Sequence, residues 1–417
     1  MPRRLAVVGA GWAGLAAAVR ATEAGHVVTL LEMAATAGGR ARSVEAGGEM
    51  FDNGQHILIG AYARTLALMR TVGADVGSLL DRRPLTLRYP DGSGLAMPPG
   101  APVPAFLRAV LGATGWTWRD RLALLSAATG WAARGFRCDA ALTVDQLCRG
   151  LPATVRGQLI DPLCVAALNT PARDASAAVL LRVLRDALFS GPGAADLLLP
   201  RRPLGDLLPA PALRWLHTNA ADVRFAHRVQ ALQPAGAGWQ VDGERFDAVV
   251  LACSAAEAAR LAAPHAPGWA AAASAMRYEP IVTVTLDCPG GRLAAPMLAL
   301  HEGAGAPAQF AFDHGALGGT AGRFAFVVSG ARPWVERGLD ATAAAVLAQA
   351  APLLPRARVH RCLAEKRATF RCTPALARAP AAVAPGLIAA GDYIDGPYPA
   401  TLEGAVRAGE QAAATLR

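Results

Sequence analysis

The 417-residue sequence predicts an α/β protein of two intertwined domains, and three features of the chain carry that expectation. A glycine-rich turn between two short apolar strands opens it. A strand running into Gly-Asp, followed by a helix, closes it. Between them lie a long helical stretch and a run of short alternating strands. The length agrees, because it exceeds what one ordinary hydrophobic core serves.

Residues 5–8 read as a short buried strand, 15–24 as a helix and 27–31 as a second strand ending at Glu32. Gly9, Gly11 and Gly14 stand between strand and helix in the spacing G-x-G-x-x-G. Gly9 permits a tight turn, Gly11 lets the backbone approach a pyrophosphate, and Gly14 lets the helix pack close to the strand. The helix N-terminus offers free N–H groups and a positive dipole end to a diphosphate. Glu32 is placed to accept hydrogen bonds from a ribose hydroxyl, and its charge disfavours the 2′-phosphate of NADP. Gly38-Gly39-Arg40 then brings bare backbone and a guanidinium either back to the cofactor or into a solvated turn.

A hairpin and turn over 43–54 follow, then Gln55-His56, a helix over 63–72 and a small hairpin over 85–95 around Pro90-Asp91-Gly92. Residues 103–137, 143–147, 161–168 and 175–189 read as helices of an apolar insertion. Beyond 198 come a helix at 207–215, strands at 223–225, 228–232, 236–241 and 246–252, and a helix at 255–261, a return to the first domain. Strands at 281–286, 297–300, 309–312 and 324–328, an alanine-rich helix at 341–353 and an extended 359–370 suggest a second sheet. The expected boundaries are therefore 1–85, 201–265 and 373–417 for the dinucleotide domain, with 86–200 and 266–372 forming a substrate domain. Residues 386–391 form a strand ending at Gly391-Asp392, and the segment 398–405 turns into a helix reaching 416. An Asp at a strand's carboxyl end beside a helix start suits a cofactor's polyol or pyrophosphate. Both ends of the chain then clasp one long cofactor, which fits FAD, with its ribityl chain, better than NAD.

Composition narrows the function. Forty-one Lys plus Arg against 32 Asp plus Glu give +9, yet without a dense basic tract, which argues against nucleic acid and leaves an anionic membrane face or anionic substrate open. Seven cysteines without a C-x-x-C fit reduced thiols in the cytoplasm, and eight histidines without ligand spacing predict no metal. No signal peptide is expected before the first strand, and no apolar run reaches the about 18 residues that a bilayer span needs.

The glycine turn with Glu32, Gly38-Gly39-Arg40 and the terminal Gly-Asp and TLEGA segments resemble the flavin amine oxidase and phytoene desaturase superfamily. Within it, FDNGQHILIGAY (51–62), DPLCVAALNTP (161–171) and the closing AAGDYIDGPYPATLEGAVRAG resemble the hydroxysqualene dehydroxylases of bacterial hopanoid synthesis. The resemblance covers essentially the whole chain. It implies a two-domain, glutathione-reductase-like FAD fold and reductive removal of an allylic hydroxyl from hydroxysqualene, with carotenoid or isoprenoid desaturation as the alternative. By the same resemblance FAD contacts fall on Gly9, Gly11, Gly14, Glu32, Arg40, Asp392 and the backbone of Val229, while Glu403-Gly404-Ala405 lies beside the isoalloxazine. Thr401 and Leu402 offer no aromatic cage of the kind amine substrates need.

Removing a hydroxyl calls for a proton donor in an apolar tunnel. His56 is the first candidate, as acid or hydrogen-bond donor, with Gln55 and Asp52 nearby; alternatively it is a turn histidine satisfied by backbone. Asp161, an acid leading an apolar helix, is the second candidate or an ordinary cap, and Asn169 either binds the hydroxyl or ends that helix. Tyr393 and Tyr398 line the flavin end or simply pack. Trp116, Trp118 and Trp131 among Arg108, Arg119, Arg121 and Arg134 resemble an interfacial surface, so peripheral contact at the inner membrane face is expected; the family resemblance implies association with neighbouring squalene-pathway enzymes.

Overall fold

The computed structural model describes residues 2–416. Its central sheet holds strands β1 (Arg4–Val8) and β2 (Val27–Leu31), with helix α1 (Trp12–Glu23) crossing between them. Across this sheet the order is Asp222–Arg224, β2, β1, Ala248–Leu251, Leu387–Ala389, all parallel, with Ala382–Ala384 antiparallel at the edge. Strands from three distant stretches thus meet in one layer. Leu5, Ala6 and Val7 of β1 are fully buried, as a central parallel strand covered on both faces requires. On one face α1 packs against helix Leu402–Thr415 so closely that a Cβ on Gly409 would stand 2.0 Å from the Ala13 carbonyl oxygen. That contact needs glycine, and the run of alanines on α1 supplies the matching small surface.

A second, antiparallel sheet runs in the order Met297–Ala299, Phe310–Asp313, Arg323–Val328, Tyr278–Asp287, Arg358–Phe370. One difference from the sequence reading lies at residues 228–231, which are not a strand. The Asp242 carboxylate accepts the amides of Gln230 and Ala231, both at 2.9 Å, so these groups leave the ladder and the strand begins at Leu232.

The helical stretch comprises Pro102–Leu111, Trp118–Ala133, Val144–Leu147, the run 153–168 and Ala177–Phe189. Within that run a π-helical turn, Arg156–Ile160, passes directly into Asp161–Leu168. Pro162 has no N–H to give to the Gln158 carbonyl, and the Tyr89 hydroxyl reaches that oxygen at 3.2 Å. Asp161 is consequently inside a continuous helix rather than capping one. Trp116 and Trp131 are also corrected here: both are buried, Trp116 giving its indole N–H to Gln158, and only Trp118 of the three faces solvent. Among the described residues no helix is long and apolar enough to cross a membrane, and no cluster of three metal-ligating side chains occurs.

Candidate active site

A cavity of about 590 Å³ runs along the carboxyl ends of the central parallel strands and beneath the second sheet. It is bordered by Arg228, Val229 and Cys253, by Gly9, Gly11 and Gly39, and by His56, Ile57 and Thr401. The glycines set its floor. Gly9 has φ +107°, and a Cβ there would press on the Ala252 carbonyl at 2.8 Å. A Cβ on Gly14 would lie 1.8 Å from the Gly9 oxygen, so α1 approaches the turn only because residue 14 has no side chain. Gly38 donates its amide to Ala10 and lies in a parallel bridge with Gly11, which stacks the second glycine pair on the first. Between them they leave bare backbone facing the cavity.

Glu32 is buried, with one carboxylate oxygen accepting from the Ala10 amide at 2.6 Å and the other from Ala34 at 2.8 Å. It borders the cavity while bracing the loop after β2. The Arg40 guanidinium donates to Asp392 at 2.5 Å and to the Ala368 carbonyl at 2.9 Å. This pair joins the first glycine-rich stretch to the last strand, as the two ends of a clasp. Gly391 borders the cavity with the Tyr393 ring where a Cβ would go, at 2.6 Å. The Val229 carbonyl accepts from Arg260 at 2.5 Å.

Two polar groups bordering the cavity are unspent. The buried Tyr393 hydroxyl has no protein partner, nor does Nε of Arg42, and buried polar groups rarely stay so. Together with the glycine floor they fit a long dinucleotide with polar groups along its length.

Three sequence assignments are corrected. Asn169 borders the cavity, but its amide nitrogen donates to the Glu279 carbonyl and Thr369 Oγ1 at 3.1 and 3.0 Å, and its oxygen accepts from the Gly330 amide at 2.7 Å. Those bonds tie the insertion to the second sheet and leave the side chain no donor for a substrate hydroxyl. Asp161 borders neither this cavity nor the apolar chamber described below; burial pushes its carboxyl up while the Arg156 charge opposes that. Glu403 is fully buried and turned away from the cavity. It accepts from the Arg64 and Thr65 amides, from Thr65 Oγ1 and from Arg407, capping helix Ala63–Thr71. Gly404 is there for packing, since a Cβ would lie 1.9 Å from the Tyr398 carbonyl; Ala405 does border the cavity.

His56 is at the cavity with Nδ1 2.9 Å from the Gly54 carbonyl, which can only accept, so the ring proton resides on Nδ1 and Nε2 is an acceptor. Burial lowers its pKa, opposed by the Gly54 carbonyl and Asp52 and aided by Arg40. As a resting-state acid His56 is therefore poorly placed, because the imidazolium is the form burial disfavours. Gln55 Oε1 lies 3.3 Å from Nε2 of His314, a second histidine whose pKa burial lowers, aided by Arg323 and opposed by Asp313 and Asp287. The sign follows. Unfolded imidazoles take up protons below about pH 6.5 and these native rings only at lower pH, so the two histidines' contribution to stability is fully present above about pH 7 and is lost as pH falls through and below that value. Thermal melts of the wild type and His56→Gln between neutral and mildly acidic pH should show a shallower loss in the variant; parallel curves would count against the assignment.

A second chamber of about 190 Å³, walled by Phe106, Leu124, Trp131, Leu163 and Leu184, lies inside the helical stretch. It meets the first cavity at Ile57, Tyr62, Ala166, Ala167 and Thr401, which border both. Sequence reasoning missed Tyr62 as a site residue. Its hydroxyl is bonded to Thr401, and burial, reinforced by Glu403, raises its pKa so that the phenol keeps its proton.

Residues 12–417 match the family described as flavin containing amine oxidoreductase. The chain belongs to that family. It is an FAD-dependent oxidoreductase of the α/β fold that flavin amine oxidoreductases share with glutathione-reductase-like proteins. Among its relatives is hydroxysqualene dehydroxylase of Rhodopseudomonas palustris, 30% identical across 99% of this chain and 98% of that one. A probable zeta-carotene desaturase of Synechococcus elongatus is 36% identical, but over 28% of this chain and 26% of its own length. An oxidoreductase of Methanosarcina mazei superposes with a TM-score of 0.72 at 15% identity, covering 98% of this chain and 99% of the other.

Proposed function

We propose that this enzyme removes the allylic hydroxyl of hydroxysqualene reductively, giving squalene and water. The observation that carries the reading is the apolar chamber opening into the polar cavity at Tyr62 and Thr401, the two polar side chains common to both. The chamber's apolar wall suits part of a long hydrocarbon, its about 190 Å³ being room for only a fraction of a C30 chain, and Tyr62 at the junction meets a single hydroxyl. Similarity to the Rhodopseudomonas enzyme along nearly its whole length supports the same substrate.

In this reading the turn at Gly9 and Gly11 and the N-terminus of α1 hold the diphosphate, joined by Arg42, while Gly38, Gly39 and Gly14 give the backbone its close approach. Glu32 receives the ribose, the Val229 backbone the adenine, and Asp392, oriented by Arg40, the polyol beside Gly391. When bound and reduced, FAD supplies a hydride equivalent. The chain's own residues supply place and proton. The overall change takes up one hydride and one proton and releases water, so a group at the junction must protonate the departing oxygen. The Tyr62 hydroxyl turns from Thr401 to that oxygen; a phenol remains a stronger acid than water, so proton transfer to leaving hydroxide is downhill even for a buried tyrosine. The apolar wall keeps water from the allylic centre, and Gln55 and His56 complete the polar side.

The test is anaerobic single turnover of the reduced holoenzyme with hydroxysqualene. Squalene should form as the flavin is oxidised. Tyr62→Phe should slow that step about 10²-fold with the flavin spectrum intact, and His56→Ala by much less. No squalene, but flavin reduction when the oxidised enzyme meets a carotenoid precursor, would make it a desaturase instead.

A further inference from the structure

We propose that the outer faces of helices Pro102–Leu111 and Trp118–Ala133 seat this enzyme on an anionic lipid bilayer, and that the apolar chamber opens toward that bilayer beside Phe136 and Phe189. The second half rests on the function proposed above; the first does not.

The two helices pack against one another and are apolar on opposite sides. Inward, Phe106, Leu124 and Trp131 wall the chamber. Outward, Val103, Leu107 and Leu111 repeat at every fourth position and are 36%, 42% and 47% exposed, while Trp118 and Leu122, again four apart, are 64% and 61% exposed. A helix covering a core ordinarily shows water its polar face; these show leucine and tryptophan in stripes.

The charge beside those stripes names the occupant. Between residues 102 and 138 stand Arg108, Arg119, Arg121, Arg134 and Arg137, against the single acid Asp120. That acid is buried in a capping box with Thr117, so its charge is spent on the helix end. The Arg121 guanidinium lies 4.8 Å over the Trp118 ring but turns back to the Ala113 carbonyl at 2.9 Å, so the exposed cations beside the stripes are Arg108, Arg119, Arg134 and Arg137. Apolar side chains that enter acyl chains, with arginines at headgroup height, are what an anionic bilayer surface binds.

One aromatic pair connects the chamber's wall to solvent. Phe136 borders the chamber in a left-handed conformation, φ +56°, just past the end of helix Trp118–Ala133. Its ring meets Phe189 edge-on, centroids 5.4 Å apart, and Phe189 is 57% exposed. Helix Ala177–Phe189 in turn packs on Pro102–Leu111. A hydrocarbon leaving the bilayer beside the leucine stripe thus has two phenyl rings between it and the chamber, and need not cross water.

Flotation of the FAD-loaded protein with vesicles judges the docking. Vesicles of phosphatidylcholine and phosphatidylglycerol in equal parts should carry the protein at low salt, and phosphatidylcholine alone much less. Leu107→Asp/Leu111→Asp should lower the bound fraction at least ~10-fold, and Arg108→Gln/Arg119→Gln about five-fold per arginine on the anionic vesicles. Retained flavin in each variant shows that the fold survives. Failure of the wild type to float, unchanged binding of both variants, or a stable dimer that the leucine substitutions dissociate would each overturn the proposal. The passage is read separately: Leu107→Asp/Leu111→Asp should lose turnover of hydroxysqualene embedded in vesicles but keep it for detergent-dispersed substrate, and equal loss of both would refute it. Absence of turnover with dispersed substrate in the wild type would refute the reaction itself while the flotation result still decides the docking.

Discussion

Glu403→Ala is expected to cost about 3–5 kcal/mol of stability, the range for stripping one partner from a buried, hydrogen-bonded ion pair. The carboxylate is fully buried and accepts from the Arg64 and Thr65 amides, Thr65 Oγ1 and Arg407. Alanine removes every acceptor at once, leaving two helix N-terminal amides and a hydroxyl in a space too apolar to satisfy them. Glu403→Gln should recover part of the loss, since one oxygen survives, yet its NH2 group must face a donor. Because helix Leu402–Thr415 also carries the chain into the cavity at Leu402 and Ala405, FAD should leave the alanine variant more readily as it loosens. Chemical denaturation of holoenzyme, followed by flavin fluorescence and far-UV dichroism, measures both effects; a midpoint equal to wild type would show that Glu403 caps nothing of consequence.

Ala166→Trp is expected to slow turnover of a C30 substrate by about 10²-fold or more while leaving the flavin in place. Residue 166 borders both the chamber and the cofactor cavity, and its side chain is exposed to the open space where they join. An indole there keeps the hydrocarbon from carrying its reacting carbon to the cofactor, and a displacement of even an ångström at a reacting centre has that kinetic weight. Rapid-mixing measurement of flavin oxidation by hydroxysqualene should show the loss, whereas reduction by dithionite should proceed at the wild-type rate. If both remain unchanged, the substrate does not pass the junction.

What could be read in advance followed the reach of each constraint. Gly9 is required by its own backbone conformation, φ +107°, and Gly14 by the Gly9 carbonyl five residues back, so their spacing alone announces the turn. The apolar runs 5–8 and 27–31 likewise foretell buried parallel strands. Glu403 was misplaced because the amides it caps, those of Arg64 and Thr65, are 339 and 338 residues away, and its local partner Arg407, one turn on, does not reveal them. Asn169 has the same difficulty: its partners are 110, 161 and 200 residues distant. Tyr62 was passed over because a junction between two cavities exists only after the helical stretch has packed. The tryptophans illustrate phase. Trp116 precedes its helix and Trp131 lies on the inner side, so clustering in sequence did not translate into a shared surface.

The central sheet also dictates an order of manufacture. β1 and β2 emerge first, yet β1 needs Ala248–Leu251 on its far side, and the next strand out is Leu387–Ala389. At roughly 5–20 residues per second, a ribosome needs about 20–80 s to reach Asp392, and until then the clasp around the cofactor is half made. For most of its synthesis the nascent chain carries an unpaired apolar edge and a glycine turn with nothing to hold. Flavin capture must then be a late, essentially post-translational event, and a cell short of FAD would accumulate finished chains rather than stalled ones.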